Sequence, residues 1–184
     1  MVPDLRGRRG DLGSGCPGLD HQERHARQVD VDGWGEQPAG LPTTDEICGL
    51  KDGGCYQTFQ GGYLVWSPAT GTHVSWGGGI RQVWADNGVE NGRLGYPTTD
   101  EIALANGGFK QDYQGGSIYW SPPATGGHTV WGRIGDYWKA RGAETSVYGY
   151  PTTSEMCGDA NGVAQCVQYF QKGSISWNAR IGIF

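Results

Sequence analysis

Three stretches of this chain share one pattern: Gly40-Leu41-Pro42-Thr43-Thr44-Asp45-Glu46, Leu94-Gly95-Tyr96-Pro97-Thr98-Thr99-Asp100-Glu101 and Tyr148-Gly149-Tyr150-Pro151-Thr152-Thr153-Ser154-Glu155. Their prolines stand 55 and then 54 residues apart. A fixed period of this length demands a tandem architecture, because a unit so small buries its apolar side only by stacking on its neighbours.

The phasing runs through the whole unit. After each signature come a Gly-rich linker and a strand-like block: Phe59-Gln60-Gly61-Gly62-Tyr63-Leu64-Val65-Trp66, Tyr113-Gln114-Gly115-Gly116-Ser117-Ile118-Tyr119-Trp120 and Phe170-Gln171-Lys172-Gly173-Ser174-Ile175-Ser176-Trp177. In the first two units a Ser-Pro turn and a second strand follow, His73-Val74-Ser75-Trp76 and His128-Thr129-Val130-Trp131. Then Ile80-x-x-x-Trp84-x-x-x-Gly88 matches Ile134-x-x-x-Trp138-x-x-x-Gly142, a helical spacing with a glycine stop. Each unit reads as a hairpin plus one short helix. The units run from about 42 to 96, 97 to 150 and 151 to 184, the last one partial because it breaks off after Trp177. A truncation or a frame change near residue 178 would explain that break.

Over roughly residues 33 to 177 these motifs resemble the LGFP repeat family, named for a Leu-Gly-Phe-Pro signature that reads Leu94-Gly95-Tyr96-Pro97 here. Tyr148 takes the Leu place in the last unit, and the first reads as lacking a residue between Gly40 and Leu41. The resemblance implies a mainly β fold with short helices in a propeller-like arrangement. Closed propellers need at least about four blades, so this chain implies an open arc or an assembly, with an irregular β-rich solenoid as the alternative. The resemblance further implies an exported, wall-associated protein. Such repeats occur in mycolic-acid-bearing and related actinobacteria, alone or attached to mycolyltransferases and to peptidoglycan hydrolases such as amidases. They are thought to anchor those proteins through the wall polysaccharide.

Glycine supplies 34 of 184 residues, against roughly 7% in ordinary chains, and clusters at the repeated turns. Eight Trp and nine Tyr supply the core. A net charge of −5 without a basic stripe gives nucleic acid nothing to grip, and no apolar run is long enough to span a membrane. Cys48 and Cys157 each follow their proline by six residues, with companions Cys55 and Cys166, while the middle unit has Ala103 and no Cys. Joint presence and joint absence predict disulfides Cys48–Cys55 and Cys157–Cys166, with Cys16 unpaired; four unrelated buried thiols are the alternative. Disulfides imply an oxidising, extracellular setting. Residues 1 to 32 carry balanced charges and unpatterned apolar residues and read as disordered or non-native. They lack the apolar region of a signal peptide. A mis-called start or a piece of a longer exported protein reconciles the two, against a cytoplasmic protein with inert thiols. His21 and His25, near Cys16, have zinc-ligand spacing but no predicted fold around them, so no metal or other cofactor is expected.

Alternation in the first hairpin strand puts Leu64 with Trp66, Ile118 with Trp120 and Ile175 with Trp177 on a core face. The other face, with Tyr63, Val65, Ser117, Tyr119, Ser174 and Ser176, is assigned to solvent or ligand. Thr43-x-x-Glu46, Thr98-x-x-Glu101 and Thr152-x-x-Glu155 suggest tight turns whose Glu accepts backbone N–H groups, against a repeated catalytic or metal carboxylate. No nucleophile elbow or phosphate loop occurs, and a residue repeated in every unit suits scaffold or multivalent binding better than an asymmetric catalytic site. The expected function is a non-catalytic wall-polysaccharide binder, with Tyr63, His73 and Trp76 in one unit and Tyr119, His128 and Trp131 in the next as ligand contacts. The alternative for the last two pairs is that each Trp is core and each His caps a turn. The competing functions are an accessory fragment of a wall hydrolase or mycolyltransferase whose catalytic domain lies elsewhere, and a purely structural wall protein.

Overall fold

The computed structural model describes residues 39–104, 106–121 and 125–184. Residues 1 to 32, expected to be disordered or non-native, and with them Cys16, His21 and His25, lie outside the described residues. The first unit contributes β1 (Ile47–Cys48), β2 (Cys55–Thr58), β3 (Gly62–Ser67), β4 (Gly71–Trp76) and α1 (Gly79–Asp86). The second contributes β5 (Ile102–Ala103), β6 (Phe109–Tyr113), β7 (Gly116–Ser121), β8 (Gly126–Val130) and α2 (Gly132–Lys139). The third has β9 (Met156–Ala160), β10 (Val163–Phe170), β11 (Gly173–Asn178) and β12 (Gly182–Ile183). Each unit folds its strands into one four-stranded antiparallel meander in chain order, so the described residues form three blade-like sheets in tandem with two short helices, closing no barrel. The third sheet does not stop at Trp177: the chain turns back and Ile183 pairs with Trp177.

The helices form where Ile and Trp stand four apart. Ile80 with Trp84, and Ile134 with Trp138, are buried on one face of α1 and α2. Left-handed Gly88 and Gly142 follow each helix. Each helix packs on the sheet of the next unit, α1 against β7 and β8 and α2 against β10, β11 and β12. Two cores result. The first joins Val65 of sheet one, Ile80, Trp84, Leu94 and Tyr96, and Ile118 of sheet two. The second joins Tyr119 of sheet two, Ile134, Trp138 and Tyr150, and Ile175 of sheet three.

This stacking corrects the face assignment. A sheet here has a backward face and a forward face, and a middle sheet has both covered. Ile118 and Tyr119 are adjacent on β7, point to opposite sides and are 0% and 3% exposed. Val65 and Ser117 on the supposed outer face are buried too, whereas Trp120 and Trp177 are only half-buried. The forward face of sheet three is the one that stays open, with Ser174, Tyr169 and Met156 exposed.

The signature residues make the joints between units. Pro42, Pro97 and Pro151 each form an isolated bridge to Phe59, Tyr113 and Phe170 of their own unit. The glycine two places earlier is left-handed in all three, with φ of 77°, 67° and 71° at Gly40, Gly95 and Gly149. Its backbone lies so close to Gln60, Gln114 or Gln171 that an added Cβ would sit 2.5–2.6 Å from the amide oxygen. That oxygen accepts the N–H of Leu41, Tyr96 or Tyr150. Leu41 therefore occupies the Tyr96 place and Ala39 the Leu94 place, and no residue is missing from the first signature. The carbonyls of Gly95 and Gly149 accept the indole N–H of Trp84 and Trp138 at 3.0 and 3.1 Å. Tyr96 reaches back to the preceding unit and donates its hydroxyl to the Lys51 carbonyl.

A polar clasp adds to each joint. Gln111, fully buried, donates to Val74 O of β4 at 2.8 Å and to Thr99 O at 2.9 Å, and Gln168 donates to Thr129 O of β8 and Thr153 O at 2.9 and 2.8 Å. On the same edge strands, Asp100 and Glu101 accept the N–H groups of Val74 and Trp76, and Ser154 accepts that of Thr129. The outer edges of β4 and β8, which would otherwise present unpaired backbone groups, are thus bonded by the next signature. Cys48–Cys55 and Cys157–Cys166 are disulfides between directly paired strands of the two end sheets. In the middle sheet the same pair is Ala103 and Phe109.

Candidate functional site

The six residues expected to bind a ligand do not share one kind of place. His73 donates from Nε2 to Thr70 O at 3.0 Å, with Nδ1 3.4 Å from Asp100 Oδ1, and His128 donates to Thr125 O at 2.8 Å. Both rings thus close the turn that precedes their strand. Trp76 and Trp131 are half-buried at the ends of β4 and β8; Trp131 packs against the first core with the Arg93 guanidinium 4.5 Å above its ring. Tyr119 stands edge-on to Trp138 with centroids 4.8 Å apart, and no face of its ring is open. Its assignment to a ligand face is overturned, because α2 and sheet three cover that side. Tyr63 lines a cleft among the described residues.

Of the repeated carboxylates, Glu101 serves a joint. Burial raises Glu101 to about 7, the Trp76 N–H partly opposing the shift. Burial also raises Glu155, with Arg93 opposing. A carboxyl titrating near neutrality suits acid–base catalysis, but Glu101 is turned onto the backbone of the preceding edge strand. Glu46 and Glu155 each approach two cysteine sulfurs. Those sulfurs are in disulfides, so they are not the thiolates a metal would need.

The cleft at Tyr63 lies on the forward face of sheet one, where sheet and helix diverge. Its volume is about 420 Å³, and it is lined by Tyr56 and Thr58 of β2, Tyr63 and Val65 of β3, Arg81 and Trp84 of α1, and Glu90. The register that pairs Tyr56 with Val65 and Thr58 with Tyr63 sets the two tyrosines diagonally on one face, rings 6.5 Å apart and tilted by 42°. The Arg81 guanidinium lies 4.5 Å from the Tyr63 centroid and 5.1 Å from that of Trp84. Its Nε and Nη1 are buried without a hydrogen-bond acceptor, and among the described residues no carboxylate pairs with it. Glu90, 7% exposed, is held by the Asn91 amide at 2.7 Å.

The same place in unit two is built differently. Register puts Lys110 at the Tyr56 position, Asp112 at Thr58 and Ser117 at Tyr63, and Gly135 follows Ile134 as Arg81 follows Ile80. Lys110 Nζ meets Asp112 Oδ2 at 3.0 Å, Ser117 donates to Asp112 Oδ1, and Lys139 donates to Ser117 Oγ at 2.7 Å. Burial alone would raise the Asp112 carboxyl, but the Ser117 and Lys110 hydrogen bonds outweigh it and hold Asp112 below the usual range. A second cleft, of about 400 Å³, lies beside the Cys157–Cys166 disulfide between Met156, Val167, Trp177 and Phe184, without a charged side chain.

Of the residues lining this cleft, the sequence singles out Tyr63 and not Tyr56, Arg81 or Glu90. Arg81 and Tyr56 carry a signal of the opposite kind from the repeat: they are positions at which the two complete units differ. The family model described as LGFP repeat matches residues 40–92, 94–146 and 149–183. No curated protein matches the chain.

Proposed function

Since the chain belongs to the LGFP repeat family, whose repeats are cell-wall-associated modules and not catalysts, we propose that it attaches to the wall by binding its polysaccharide without cleaving it. The two disulfides fit an extracellular protein. The observation that carries the reading is the division of labour among side chains. Gln111, Gln168, Glu101 and the two His are spent on turns and joints, which leaves the open cleft floored by Tyr56 and Tyr63 as the place where an outside molecule meets aromatic rings beside charged groups. Aromatic faces with a few convergent polar groups are what a shallow ligand site requires. A catalytic domain in a longer parent protein is compatible with this role and would be held at the wall by it.

The test is sedimentation of the full chain with purified wall, before and after removal of the covalently attached polysaccharide. Binding that disappears with the polysaccharide supports the proposal. A chain that ignores both preparations refutes it and leaves a structural role, and equal binding to both assigns the attachment to another wall component.

A further inference from the structure

Resting on that reading, we propose that the protein carries one saccharide site and not one per unit: the cleft of unit one, which takes a neutral sugar ring presenting neighbouring hydroxyls. At about 420 Å³ it is at the small end of the roughly 300–1,000 Å³ of ligand pockets, which suits a chain end or a short internal stretch better than a long polymer. Tyr56 and Tyr63 offer ring surface for the C–H face of a sugar. Arg81 is fixed flat by Tyr63 and Trp84 and sets a guanidinium on the cleft wall, its Nε and Nη1 buried and without a protein acceptor. Glu90 on another wall of the cleft is an acceptor. A hydroxyl both accepts and donates, so a pair of them satisfies a guanidinium and a carboxylate together. The two opposite charges also leave the cleft without a net field to attract an anion.

Unit two is the internal control. Tyr56 is replaced there by Lys110, Tyr63 by Ser117 and Arg81 by Gly135, while Trp138 and Glu144 keep the places of Trp84 and Glu90, and the space is crossed by the Lys110–Asp112–Ser117–Lys139 network. The avidity expected from two equivalent sites is therefore absent within one molecule.

The experiment titrates the full chain with neutral trisaccharides, of a pentose and of a hexose, and with trigalacturonate, following amide shifts by NMR. The expected result is one-to-one saturation by a neutral trisaccharide with shifts confined to residues 50–65 and 79–91, weakened at least about tenfold by Tyr63→Ser and by Arg81→Gln. Lys139→Ala in unit two leaves it unchanged. Tyr63→Ser copies the residue of unit two, and Arg81→Gln together with wild-type shift mapping decides the matter if that variant is unstable. Shifts centred on unit two, or preference for trigalacturonate, overturn the assignment. Wall binding that survives both cleft variants overturns the cleft while the wall-attachment reading stands. Failure of the wild type on wall material removes that reading, and the trisaccharide titration still judges the cleft.

Discussion

Replacing Gln111 by Ala tests whether the clasp between units is an energetic joint. Gln111 is 0% exposed and makes three hydrogen bonds: its amide donates to Val74 O and Thr99 O, and its oxygen accepts the Tyr113 hydroxyl at 2.9 Å. Truncation strands two carbonyls and a hydroxyl inside the first joint. A buried polar group left unmet costs about 1–3 kcal/mol, and water entering the space restores part of this. The expected loss is about 3–4 kcal/mol, or roughly ten degrees in thermal midpoint for a chain of this size. Gln57 is the control, since it holds the same strand position in unit one but is half-buried and donates to Thr44 O alone. Gln57→Ala should cost about 1 kcal/mol. Urea unfolding followed by tryptophan fluorescence, with disulfides intact, measures both. Losses within about half a kcal/mol of each other would refute the claim that the second bond, across the unit boundary, is what matters.

Three further outcomes follow from the same geometry. Tyr119→Ala should cost about 3–5 kcal/mol and at least as much as Trp120→Ala, the reverse of the order that strand alternation suggests; paired denaturation curves decide it. Glu101 binds its proton more tightly folded (about 7) than unfolded (4.5), so its contribution is full below pH 4.5 and is lost as pH rises through 7. At about 1.4 kcal/mol per pH unit the loss is about 3 kcal/mol, and Glu101→Gln should flatten that slope when stability is measured from pH 4 to 8. Gln168 Oε1 is buried without a donor because Phe170 stands where unit two has Tyr113. Phe170→Tyr should therefore stabilise by about 1 kcal/mol, seen as a rise in thermal midpoint.

Much of the fold was legible because the repeat prints local signals in the same phase: Ile80 with Trp84 for the helix, the glutamine-glycine turn for the hairpin, paired cysteines for the cross-links. The faces of the strands were misread for a physical reason. Alternation reports that neighbouring residues point to opposite sides, and says nothing about whether one side or both are covered. Ser117 looked solvent-facing because it is polar, yet it is buried within the Asp112 and Lys139 network. The direction of the Glu101 carboxylate was half legible: it accepts a backbone N–H, as its turn suggests, but that N–H belongs to the preceding unit. Arg81 was invisible because repeat alignment draws the eye to what recurs, and Arg81 does not.

Each helix is encoded after one sheet and covers the next, so inheritance and packing run out of phase along this chain. Modules exchanged at the prolines would carry α1 away from Ile118 and leave it on a stranger's sheet. A crossover at the glycines that precede α1, near Gly78, instead moves a helix together with the surface it was selected to fit. Chimeras assembled with that phase keep each helix on its own sheet and ask the new neighbours to agree on the packing against Val65, the Tyr96 bond to Lys51 and the polar seam along β4.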